Sequence, residues 1–165
     1  MGGAAAGGKA LRGIFKRLVD GLLKKAPKVT RRPPRELPAR LATQLTTAQA
    51  KRRAAKAVAR FRTEVLEAGG KRPPTVVTAT VDRRTGRAYT GGAGERGIEV
   101  PPTLRDLLPN PSKEPWKSDN CAEVAAAARA IRDGSDLKDL VFISVTTKTG
   151  VLRALCNNCS SWIFG

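Results

Sequence analysis

The chain has 165 residues, 31 Lys and Arg against 14 Asp and Glu, no histidine and 4% aromatic residues. That length suits one domain with an extension, the scarcity of aromatics leaves the core to Val, Leu, Ile and Ala, and the lack of histidine removes imidazole from any ligand set. The net charge of +17 points to an acidic partner, nucleic acid first, but residues 1–74 carry +15 of it (19 basic, 4 acidic) and residues 75–165 only +2 (12 basic, 10 acidic), so charge alone does not say what enters a pocket in the second half.

Residues 2–8 are Gly and Ala only and read as linker. Over residues 9–25, Leu11, Ile14, Phe15, Leu18, Val19 and Leu22 fall at helical spacing among basic residues, which predicts a basic amphipathic helix. It is too short and too charged to span a bilayer and lacks the small-residue cleavage site of a secretory signal; membrane-surface contact, partner docking and packing onto the domain all fit it. Residues 27–38, with Arg31-Arg32-Pro33-Pro34, cannot continue a helix, and the boundary between an extension (1–45) and a domain (46–165) is placed here.

Thr46 or Thr47 caps the next predicted helix, whose apolar stripe runs through Ala54, Val58, Phe61 and Val65 and which stops at Gly69-Gly70. Its other face holds Lys51, Arg52, Arg53, Lys56, Arg60 and Arg62, either a phosphate track or a solvated face. Residues 75–81 alternate and are β-branched, and with 87–90 they predict a hairpin across Arg84-Thr85-Gly86. Residues 91–117, rich in Gly and Pro, read as a long loop over a site. Asp119-Asn120 is an N-cap signal that places Cys121 in the first turn of an alanine-rich helix, where the dipole favours a thiolate. The apolar run 140–147 predicts a central strand covered on both faces. Cys156 and Cys159, three apart, share a face if a second short helix opens there, with Leu155 just ahead of it.

All three cysteines lie in Asn120-Cys121-Ala122-Glu123 and Cys156-Asn157-Asn158-Cys159, which together read as one zinc site. A closed structural site takes four protein ligands, whereas three ligands with an open position is the catalytic arrangement, and this chain offers three thiols. Taken singly, Cys-x-x-Cys also fits a redox pair or half of a structural site, and Cys121 also fits an ordinary buried thiol.

At these residues the chain resembles the zinc-dependent nucleobase deaminases, whose pattern is His or Cys, any residue, Glu, and a later Cys-x-x-Cys. Here 33 positions separate Glu123 from Cys156. The closer resemblance is to the YwqJ-like deaminases, C-terminal toxin domains of bacterial polymorphic toxins. It is carried by Asp82-Arg83-Arg84-Thr85-Gly86, by Pro115-Trp116 ahead of Asn120-Cys121-Ala122-Glu123, and by Cys156-Asn157-Asn158-Cys159, and it covers about residues 46–165. Two features depart from the pattern. Leu155 stands where many deaminases have proline, and six residues follow Cys159, too few for the later strands of larger deaminases.

The resemblance implies a compact α/β fold, a cytidine deaminase-like three-layer sandwich with a truncated C-terminal end. It implies Zn2+ held by Cys121, Cys156 and Cys159, with Glu123 as acid/base and not ligand. Three thiolates put more negative charge on zinc than a shell containing His, which places more of the burden on Glu123. The activity implied is hydrolytic conversion of cytosine to uracil in DNA or RNA by a monomeric bacterial toxin without a transmembrane segment. Such a toxin is secreted, acts in the target cell's cytoplasm and is opposed by a cognate immunity protein. Substrate contacts are assigned to Trp116, Asn120 and Thr90, Trp116 fitting a packed loop anchor equally well. A deaminase of free nucleosides or nucleotides and a non-catalytic zinc-stabilised binding module remain as alternatives; a carboxylate at Glu123 argues against the second.

Overall fold

A computed structural model of the chain describes residues 44–164, all within the compact unit Leu41–Gly165. The linker at 2–8, the amphipathic helix at 9–25 and the Pro-rich boundary at 27–38 lie outside the described residues.

Helix α1 spans Thr47–Glu67. The Gln49 amide donates to Thr46 Oγ1 at 3.2 Å and the Thr46 amide donates to Gln49 Oε1 at 2.9 Å, a reciprocal capping box. Ala50, Ala54 and Val58, four apart, are its buried positions, and Phe61 and Val65 continue the same stripe. The helix stops at Ala68, with Gly69 taking a left-handed φ of 61° just beyond it.

Strands β1 (Val76–Asp82) and β2 (Ala88–Gly92) form the predicted hairpin. Its turn is held by Asp82, whose Oδ1 accepts from the amides of Arg84 at 2.7 Å and Thr85 at 3.4 Å, while Oδ2 accepts from Ser135 Oγ at 2.9 Å. Burial alone would raise the Asp82 pKa, but these hydrogen bonds outweigh it and hold the carboxyl below its ordinary value. After the short helix α2 (Pro102–Arg105) and helix α3 (Ala122–Arg132), strand β3 (Leu140–Thr146) pairs antiparallel with β1, and helix α4 (Asn157–Ile163) ends the described chain.

The strand order is β2-β1-β3, so β1 is the central strand and β3 an edge, contrary to the expectation for residues 140–147. The apolar run in β3 has another cause: its two faces pack on different helices. Val141, Ile143 and Val145 join Val77, Ala79 and Val81 against α1, while Leu140 and Phe142 lie in the cluster of α3 and α4, with Phe142 edge-on to Trp162 at 5.8 Å. The fold is thus mixed α/β, an antiparallel three-stranded sheet with α1 on one face and α3 and α4 on the other. Among the described residues no helix is long and apolar enough to cross a membrane.

Candidate metal centre

Cys121 is the N-cap of α3 rather than a residue of its first turn. The expected cap, Asp119-Asn120, instead closes a separate 3-10 turn over Ser118–Asn120, in which the Asn120 amide donates to the Lys117 carbonyl at 3.0 Å. The backbone is extended at Cys121 (φ −78°, ψ 142°), and the Ala125 amide donates to its carbonyl at 3.2 Å to open the helix. Cys156 likewise caps α4, and Cys159 lies in that helix's first turn, as the three-residue spacing predicts. The two helix starts converge, bringing the sulfurs of Cys121, Cys156 and Cys159 within 4.8 Å of one another and Cys121 Sγ within 3.5 Å of Cys156 Sγ.

That geometry fits a metal. Zn–S bonds of about 2.3 Å imply sulfur–sulfur edges of about 3.8 Å in a tetrahedron, and soft thiolates suit zinc. The thiols are not equivalent. Cys121 is held down to about 6 by the Cys159 thiol and, against its own burial, by the Trp116 indole. Cys159 is pushed strongly up by the neighbouring Cys121 sulfur, by burial and by the negative charge of Glu123, and burial also raises Cys156. Thiols ligate as thiolates, so metal binding by this cluster releases protons and depends on pH.

Glu123 is buried among these thiols and is not one more surface acid of the helix. Its Oε2 accepts from Cys159 Sγ at 3.4 Å and its Oε1 from Ser144 Oγ at 2.6 Å. Because the single Ser144 proton goes to Glu123, the 2.7 Å contact between Ser144 Oγ and Thr78 Oγ1 must be donated by Thr78. The relay Thr78, Ser144, Glu123 spans β1, β3 and α3 and fixes one carboxylate oxygen, leaving the other toward the thiols.

A cavity of about 240 Å³ opens over this group, lined by Trp116, Asn120, Cys121, Glu123, Arg153 and Cys156 among others. Of the three residues assigned to substrate contact, Trp116 and Asn120 line this cavity and Thr90 does not. Thr90 pairs with Ala79, so the period-two alternation puts its side chain on the face of α1. Its carbonyl alone serves the site's face, accepting from Arg129 Nη1 at 2.5 Å, an arginine that also pairs with Glu95. Gly91, its neighbour, faces α3 so closely that a Cβ there would sit 2.6 Å from the Ala122 carbonyl and the Ala126 amide.

The loop expected over the site carries α2 and then returns to it. Buried Asn158, between the two cysteines of the pair, accepts from the Lys113 amide at 2.8 Å and donates to Ser112 Oγ at 3.0 Å, while Glu114 Oε1 accepts the Asn157 amide at 2.8 Å. These bonds staple residues 112–116 to α4 and so place Trp116 beside Cys121. Sequence reading missed Thr78, Ser144 and Asn158. Ser144 had a signal, a hydroxyl set between Ile143 and Val145 inside an apolar run.

No family model, curated protein or solved structure matches the chain.

Proposed function

We propose that this chain is a zinc-dependent deaminase that hydrolyses the exocyclic amine of a nucleobase, cytosine to uracil, on the deaminase-like sandwich its sequence resembles. The observation that carries the reading is the arrangement of three thiols and one buried carboxylate about a single cavity. Three thiols are close enough to share a metal, and the Glu123 carboxylate, anchored through Oε1 by Ser144, turns Oε2 toward the thiols, 3.4 Å from Cys159 Sγ. A structural site needs a fourth ligand and no acid beside it.

When bound, zinc supplies the Lewis acidity that makes a water available as nucleophile near neutral pH. The chain's own residues do the rest. Glu123 takes a proton from that water as its oxygen bonds to C4 of the ring, gives it to ring N3, and then assists proton transfer to the amine. The C4–N bond breaks and ammonia leaves, so cytosine plus water yields uracil plus ammonia. Ser144 and Thr78 keep Glu123 in the rotamer this needs, and Trp116 and Asn120 line the space the ring occupies. In the setting the resemblance implies, the reaction serves a secreted bacterial toxin acting on nucleic acid and opposed by an immunity protein.

The test is to load the protein with zinc, incubate it with single- and double-stranded DNA, RNA and free nucleosides, and assay uracil, inosine and ammonia. Wild type should release ammonia and uracil in equal amounts, and Glu123→Gln should keep its zinc while losing about 10²–10⁴-fold in rate. If Glu123→Gln instead sheds the metal, the carboxylate is a fourth ligand and the site is structural.

A further inference from the structure

We propose that the cavity over the thiols is the middle of a longer trough that seats a single nucleic-acid strand, with the reacting base internal to the strand and phosphates held on both sides. The chemistry rests on the deaminase reading; the path rests on separate observations. The central cavity shares Thr75, Ala93 and Asn120 with a second hollow, which adds Arg72 and Arg96. On the other side it shares Trp116, Arg153, Ala154 and Cys156 with a third hollow. The three run in series, with Glu123 and two of the thiols lining the middle, Arg72 and Arg96 at one end and Arg153 toward the other.

These arginines differ from most others in the fold. Arg53 and Arg62 donate to backbone carbonyls, Arg83 and Arg84 pair with Asp139, Arg87 pairs with Asp133, and Arg129 pairs with Glu95. Arg72, Arg96 and Arg153 are exposed and make no side-chain hydrogen bond or ion pair among the described residues. A guanidinium matches a phosphate as a planar fork, and three unengaged ones along one trough suit a phosphate backbone. Arg153 stands on firm ground, since its amide donates to the Ser144 carbonyl of β3 at 2.9 Å. Trp116, 39% exposed where the central and third hollows meet, offers a ring on which the neighbouring base can stack. A free nucleoside fills the centre and leaves both flanks idle. A base held in a duplex must first be unpaired and flipped to reach a cavity of about 240 Å³, so a single strand enters at lower cost. The basic face of α1 takes no part, because α1 covers the opposite face of the sheet.

The test uses full-length Glu123→Gln protein and labelled single-stranded DNA, single-stranded RNA and duplex DNA, each with one central cytosine, titrated over a salt series. On a single strand, every phosphate that a variant can no longer neutralise lowers the slope of log affinity against log salt by about 0.7. Arg72→Ala/Arg96→Ala should therefore lower it by about 1.4 and Arg153→Ala by about 0.7. Arg52→Ala/Arg60→Ala, on the outer face of α1, should leave the cavity-dependent slope as it is. The stronger of the DNA and RNA arms identifies the sugar. Unchanged slopes in the trough variants, an equal fall in the α1 control, or tighter binding of the duplex overturns the path. Product assays with wild type keep the two readings apart. Slopes that fall as stated with no uracil from any substrate uphold the path and sink the deaminase reading. Uridine from free cytidine as fast as uracil in a strand, with slopes unmoved, does the reverse.

Discussion

The two faces of the sheet come from the same strands and do different work. Toward α1, β1 presents Val77, Ala79 and Val81, and β3 presents Val141, Ile143 and Val145, an apolar face against the Ala50, Ala54 and Val58 stripe. Toward α3 and α4, β1 presents Thr78 and Thr80 and β3 presents Ser144, all buried, with Thr78 and Ser144 wired to Glu123. Losing a methyl from the apolar face leaves these hydrogen bonds in place; losing the Thr78 or Ser144 hydroxyl leaves a buried partner unsatisfied. One residue of register separates the side chains that these strands pack on α1 from those they turn toward α3 and α4.

The strongest way to break that separation is to remove a sulfur. Cys121→Ala, Cys156→Ala and Cys159→Ala should each abolish metal binding and activity, read as zinc per chain by elemental analysis, with wild type at one; full retention in any of them ends the three-thiol assignment. Next comes Gly91→Ala, where the new Cβ meets the backbone of α3 and not a flexible side chain. It should cost about 2–3 kcal/mol in urea denaturation and weaken zinc binding, since α3 carries Cys121 and Glu123. Val58→Ala tests the other face. It removes two methyl-sized groups from the α1 interface and should cost about 2 kcal/mol with the turnover number unchanged. An equal loss of activity would mean that the faces are coupled.

The smallest effect concerns acid. Asp82 has its pKa below the ordinary carboxylate value in the fold, so its contribution is present above the unfolded pKa and fades as pH falls through the folded one. Asp82→Asn should therefore narrow the gap in urea midpoint between neutral and acidic pH relative to wild type, while the zinc content at neutral pH stays the same. A gap as wide as that of wild type would place the acid sensitivity elsewhere.

Local chemistry was legible wherever neighbours in sequence settle it. The Thr46 cap, the four-residue stripe of α1, the stop at Gly69, the hairpin across Arg84-Thr85-Gly86 and the opening of a helix at Cys156 all depend on interactions within a few residues. The three cysteines also pointed to one cluster, since Cys is the only soft ligand type in a chain without histidine, and the resemblance to deaminases implied Glu123 beside them. The N-cap at Cys121 was off by a residue, since a 3-10 turn competed for Asn120.

Beyond that range, the outcome turned on which face and which neighbour each strand acquired. An apolar run such as residues 140–147 serves equally a central strand and an edge strand packed between two helix layers, and only pairing made β3 the edge. Thr90 and Gly91 are adjacent in sequence, yet the register with β1 sent Thr90 to α1 and pressed Gly91 against α3. Ser144 became the anchor of Glu123 because β3 pairs with β1 at Thr78, a contact across 66 positions of chain that no local pattern encodes. Periodicity states how a segment wants to be buried; the partner that buries it, and so the chemistry it meets, is set by long-range pairing alone.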